Sequence, residues 1–98
     1  MSVIRHISVR GRVQGVGFRA FVEHEALKYG VGGWVRSRHD GTVEAVFQGD
    51  EAKVAAAIEA CRRGPMGSRV EALYDEDGSD ADLKLVRPGE RFSVLPTG

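Results

Sequence analysis

The chain predicts an α+β fold, the ferredoxin-like α/β sandwich ordered β-α-β-β-α-β, with two helices on one face of an antiparallel sheet. Three observations point there. Residues 5–13 and 42–48 alternate apolar with polar side chains, the period of half-buried strands. The stretches that begin at Phe18 and Asp50 change to helical spacing, and each carries one apolar stripe. Asp40-Gly41 marks a two-residue hairpin between extended runs. Helices with one apolar stripe and strands with one apolar face satisfy each other when both helices cover the same side of the sheet.

Taken in order, the first strand places Ile7, Val9 and Val13 on one face with Gly11, and His6, Ser8, Arg10 and Arg12 on the other. The first helix gathers Phe18, Phe21, Val22, Ala26 and Tyr29 on one side, with Glu25 inside that arc, Leu27 opposite it and Gly30 as the C-cap. After Gly32-Gly33 the extended pattern resumes over residues 34–38, and beyond the hairpin Val43, Ala45 and Phe47 share a face. The second and third strands therefore pair antiparallel. Asp50 caps the second helix, whose Val54, Ala57, Ile58 and Cys61 fall in a narrow arc. That arc makes Cys61 a small buried apolar residue rather than a nucleophile. Gly64-Pro65 ends the helix, and residues 69–74 read as a fourth strand. Residues 75–82 are strongly acidic. Their glycine comes one position too early for a calcium loop and the glutamate at position twelve is missing, so they read as a solvated loop. Residues 91–95 form a short last strand.

Ninety-eight residues, 42% of them hydrophobic, support one core and a single domain over 1–98. Fourteen Lys+Arg balance fourteen Asp+Glu, so the overall basic field typical of nucleic-acid binding is missing, and no clustered basic-aromatic strand replaces it. No apolar run is long enough for a signal segment or a membrane span. One cysteine cannot build a disulfide framework, and His6, His24 and His39 have no metal-ligand spacing with each other or with Cys61. A cytoplasmic monomer without metal or cofactor is expected, with no nucleic-acid or membrane partner.

The chemistry concentrates in residues 11–19, Gly-Arg-Val-Gln-Gly-Val-Gly-Phe-Arg, at a strand-turn-helix junction. Glycines at 15 and 17 can take positive φ, so consecutive backbone N–H groups can converge on one point at a helix N-terminus. The helix dipole adds about half a positive charge there, and Arg19 in the first turn adds a full one on a fork that matches two oxygens. By residue chemistry alone the stretch is either a phosphate cradle or a Gly-rich connection ending in a solvated arginine. Residues 15–20 also fit the GxGxx(G/A) dinucleotide fingerprint, but a chain of this length with a hairpin at Asp40-Gly41 does not continue as parallel β-α-β units. A Walker-type loop is excluded because no Gly-Lys-Ser/Thr follows at the required spacing.

Residues 9–19 resemble the first signature of the acylphosphatases at every characteristic position. Gly33-Trp34-Val35-Arg36-Ser37, followed by Gly41, Val43 and Gly49, resembles the second, and Gly64-Pro65 before the fourth strand fits as well. The resemblance spans essentially the whole chain. It implies the same ferredoxin-like sandwich and a metal-free hydrolysis of the carboxyl-phosphate bond in small acyl phosphates. It also implies that Gln14, Gly15, Val16, Gly17, Phe18 and Arg19 hold the phosphoryl group. One position departs from the pattern: Ser37 stands where the family places the asparagine that orients the attacking water. The resemblance assigns Ser37, with Arg19, to catalysis as a shorter substitute, and a slowed enzyme is expected. Two alternatives stay open: Ser37 as a plain strand-edge hydroxyl, and the whole chain as a non-catalytic module that binds a phosphate or another anion.

Overall fold

The computed structural model describes residues 1–98. Strands β1 (Ser2–Arg12), β2 (Gly32–Ser37), β3 (Val43–Asp50), β4 (Arg69–Asp77) and β5 (Phe92–Val94) form one sheet in the order β4-β1-β3-β2-β5. Helices α1 (Phe18–Lys28) and α2 (Glu51–Arg63) cover one face of it. The alternating residues Ile7, Val9, Val35, Val43, Ala45 and Phe47 meet Phe18, Val22, Ala26, Val54, Ala57, Ile58 and Cys61 in a single core. Burying each large apolar side chain of this set contributes about 1.5–3 kcal/mol. Glu25, inside the apolar arc of α1, is buried with it, and Leu27 on the opposite side is exposed.

β1 pairs antiparallel with β3 and β4, and β2 with β3, as the ferredoxin-like sandwich requires. β5 departs from a purely antiparallel sheet by pairing parallel with β2, Gly33 opposite Phe92 and Val35 opposite Val94. The direction follows from the connection. β4 ends where β2 begins, so a chain crossing the outer face of the sheet arrives beside the start of β2 and runs with it.

The acidic stretch behaves differently from a loop. Asp75 and Asp77 extend β4, because Arg5 on the neighbouring β1 reaches Asp75 at 2.8 Å and also binds Asp77. Residues Asp80–Leu85 then form a 3-10 helix, begun by the Ser79 N–H donating to the Asp82 carboxylate at 2.9 Å. This helix lies over Trp34, which is buried on the outer face, donates from Nε1 to the Asp82 carbonyl at 2.6 Å and carries the Arg36 guanidinium 5.0 Å above its ring. The hairpin between β2 and β3 has three loop residues instead of two. Arg38 N–H donates to the Thr42 carbonyl, the Gly41 N–H donates to the Arg38 carbonyl, and Gly41 at φ 93° supplies the left-handed residue such a loop needs.

Gly33 is fixed by space as well as by angle. Its φ is 133°, and a Cβ there would lie 1.8 Å from the Val46 carbonyl oxygen across the ladder. Gly33→Ala is therefore expected to destabilise the fold by more than about 3 kcal/mol, read from the midpoint of urea unfolding. On the outer face Glu44 links three strands: its oxygens lie 2.7 Å from His6 Nε2 and 2.8 Å from Arg36 Nε. Burial alone would raise the Glu44 carboxyl, but the hydrogen bonds and charges of His6 and Arg36 outweigh it and hold the group below its ordinary 4.5. A lowered folded value means stability that is present above the ordinary value and lost as pH falls through the lowered one. The melting-temperature gap between the parent and Glu44→Gln should be widest at neutral pH and close on acidification; a gap independent of pH would refute this role.

Candidate active site

The two helices begin in opposite ways. α2 starts conventionally, with Asp50 accepting the Lys53 N–H, Glu51 in the first turn and Arg62 and Arg63 in the last. α1 starts from Gly17 at φ 77° and ψ 22°, without a capping side chain and without an acidic residue in its first turn. Gly15, at φ 74°, makes the same left-handed excursion two residues earlier. A Cβ at either glycine would meet nothing within 4 Å, so backbone angle rather than crowding requires glycine there. As a result no backbone N–H of residues 14–20 donates within the protein. A run of uncapped donors at a helix N-terminus is an anion-binding arrangement.

The donors open into a cleft of about 490 Å³ lined by Gln14, Gly15, Gly17, Phe18, Arg19 and Ser37, among others. Arg19 is exposed on the first turn of α1 and makes no ion pair, although Glu23 stands one turn further on in the same cleft. Ser37 ends β2, is 94% buried by its 6% exposure, and uses its backbone carbonyl to accept the Gly98 N–H at 3.0 Å. Its hydroxyl has no protein partner and faces a site where a ligand or water can take it up.

The structure thus brings together residues that are separated by a helix and a strand in the sequence. Two of them take roles that residue type did not reveal. The Gln14 side chain is committed elsewhere: its Nε2 donates to the carbonyls of Arg38 at 2.8 Å and Thr42 at 3.0 Å, tying the loop to the hairpin. Only its backbone N–H is left for an anion. The Val16 N–H has no protein partner, and its side chain turns against the core. Cys61 is buried away from the cleft, where desolvation pushes its thiol up to about 12; it is a protonated core residue at neutral pH. His6 is held between Glu44 and Glu76, while His24 and His39 are exposed.

Sequence reasoning missed the far wall of the cleft, made by Arg87, Glu90, Phe92 and Val94. Fully buried Ser93 organises it, accepting the Arg87 N–H at 2.9 Å and donating to Glu90. A local signal exists in Pro88-Gly89, since Gly89 at φ 83° and the Glu90 N–H donating to the Arg87 carbonyl form a tight turn. Nothing local says that this turn faces α1.

The acylphosphatase family model matches residues 5–86. An acylphosphatase from Rhodopseudomonas palustris (strain BisB18) is 55% identical over 96 residues, covering 98% of this chain and 97% of the relative. One from Synechococcus sp. (strain JA-2-3B'a(2-13)) is 57% identical over 92 residues, covering 94% and 92%. The crystal structure of acylphosphatase from Bacillus subtilis superimposes with a TM-score of 0.81 at 37% identity, covering 97% of this chain and 99% of that one. With the uncapped start of α1, the exposed Arg19 and the sheet in place, and with such matches across nearly its full length, the chain belongs to the acylphosphatase family.

Proposed function

We propose that the cleft hydrolyses small acyl phosphates to carboxylate and phosphate, acting as a monomer. The observation that carries this reading is the run of free N–H groups over residues 14–20, which shares one cleft with unpaired Arg19 and with the free hydroxyl of Ser37. The phosphoryl oxygens accept from the loop N–H groups and from the Arg19 fork, which neutralise charge as it builds in the transition state. Ser37 Oγ orients the attacking water. The water oxygen bonds to phosphorus as the bond from phosphorus to the carboxyl oxygen breaks, the carboxylate leaves with that electron pair, and the water proton passes to the phosphate and solvent. A carboxylate is a weak base and leaves without being protonated, so positioning and charge stabilisation account for most of the acceleration. The cleft is complete within one chain, which supports the monomer, and the lone buried Cys61 suits a reducing compartment such as the cytoplasm. No helix is long and apolar enough to cross a membrane.

Benzoyl phosphate hydrolysis in the presence of chelator tests the assignment. Arg19→Ala should lower kcat/KM by more than about 100-fold, and Ser37→Asn, whose carboxamide reaches further, should raise kcat by about 10- to 100-fold. An unchanged rate in Arg19→Ala would remove the cradle from the mechanism. Absence of turnover in both the parent and Ser37→Asn, with phosphate binding retained, would make the chain an anion-binding module instead.

Gln14 is read as a positioning residue, because its amide sets the loop against the hairpin that follows Ser37. Gln14→Ala should lower kcat by about 10-fold or more through misalignment. Gln14→Glu, which cannot donate to the two carbonyls, should be no better. Equal rates for parent and Gln14→Ala would show that the tie serves folding alone.

A further inference from the structure

The chain balances fourteen basic against fourteen acidic side chains, and the fold gathers some of each at opposite ends, although Glu23 and Glu90 line the cleft itself. β1 runs toward the cradle and α2 ends beside it: a Cβ on Gly64, just past α2, would lie 2.9 Å from Cε2 of Phe18, the first residue of α1. That end of the molecule collects Arg10 and Arg12 from the end of β1, Arg63 from the end of α2 and Arg69 from the start of β4. All four are exposed, and none forms an ion pair or a side-chain hydrogen bond. Arg12 and Arg69 stand directly opposite each other across the β1–β4 ladder. Like charges so placed cost stability. Glu71, displaced where the register shifts, pairs with neither. The far end, where β3 and β4 finish and α2 begins, holds Asp50, Glu51, Asp75, Glu76, Asp77 and Asp80, with Arg5 the arginine bound among them.

Folding gives no reason to set the unpaired Arg12 and Arg69 against each other across a ladder. We propose that Arg10, Arg12, Arg63 and Arg69 form a basic collar that captures the anionic substrate and concentrates it at the cradle. The collar rests on the acyl-phosphate reading above, and its ligand is a small dianionic phosphate compound. It acts through the field rather than by contact. A charge is felt over about 30 Å at 0.01 M salt but only about 3 Å at 1 M, so the collar works at low and physiological ionic strength and vanishes in concentrated salt. A net charge of zero hides this, because the attraction depends on where the charges stand and not on their sum.

The test compares two triple variants that remove the same charge from opposite parts of the molecule. Arg12→Gln/Arg63→Gln/Arg69→Gln removes three of the collar's four charges and leaves Arg10; Lys28→Gln/Lys53→Gln/Lys84→Gln takes lysines from the end of α1, the start of α2 and the 3-10 helix. At about 10 mM ionic strength the collar variant should lose about five- to tenfold in kcat/KM for benzoyl phosphate, carried by KM, and the loss should shrink below about twofold at 0.5 M. The lysine variant should match the parent throughout. Titration calorimetry with inorganic phosphate should show the same salt-dependent loss of affinity for the collar variant. That measurement judges the collar even if turnover is absent and the enzyme reading falls. The melting temperature of the collar variant should equal or exceed the parent's, since a like-charge pair is relieved. Equal losses in both triples, or a loss that persists at high salt, would overturn the proposal. So would tight collar-dependent binding of a single-stranded oligonucleotide with phosphate affinity unchanged, which would make the patch a polyanion dock.

Discussion

Two hydrogen bonds from one carboxamide hold the halves of this site in register. Gln14 belongs to the loop that presents the N–H donors, and the carbonyls it binds, those of Arg38 and Thr42, close the hairpin immediately after Ser37. Apart from that tie and the Val16 side chain packed against the core, the loop is anchored through β1 behind it and α1 ahead of it. A glutamine suits the position because it supplies two N–H donors from one group, and the two carbonyls lie at ordinary bonding distances. The same Thr42 carbonyl also accepts the Arg38 N–H, so the closing pair of the hairpin and the anchor of the loop are one small network.

The start of α1 is a helix N-terminus left uncapped. α2 shows that this chain caps helices in the ordinary way when nothing else is asked of them, with Asp50 bound to the Lys53 N–H. At α1 the cap position is Gly17, which has no side chain to spend on the first turn, and its left-handed angles turn the preceding N–H groups outward. The donors therefore keep no partner within the protein, the arrangement in which an anion at a helix start displaces no protein bond. Beneath the loop Phe18 is almost fully buried against the core, so the mobile-looking glycine sequence is seated on a rigid floor.

Charge placement is a second consequence of topology. Strand directions and the run of α2 carry Arg10, Arg12, Arg63 and Arg69 to the end where α1 starts and gather Asp75, Asp77 and Asp80 at the other, while a sum over the sequence gives zero. The acidic stretch shows how strongly partners decide local structure. Asp75 and Asp77 are poor strand residues by propensity, yet β4 continues through them because Arg5 lies alongside in the neighbouring strand.

The sequence alone determined what depends on near neighbours in the chain. Alternation set the faces of β1 and β3, helical spacing set the buried stripe of α2, Asp50 marked its start, and the glycines around Val16 marked a turn able to point N–H groups outward. Those are properties of a few consecutive residues, whose φ, ψ and side-chain period do not wait for the rest of the fold. Tertiary structure alone decided the rest. It committed the Gln14 side chain as an anchor while leaving its backbone N–H free, delivered β5 parallel to β2, brought the turn at Pro88-Gly89 to the far wall of the cleft, and set Arg12 against Arg69. Each of these joins residues distant in the chain, and such a pairing is fixed by which strands lie adjacent and in which direction they run, information that no local window of sequence contains.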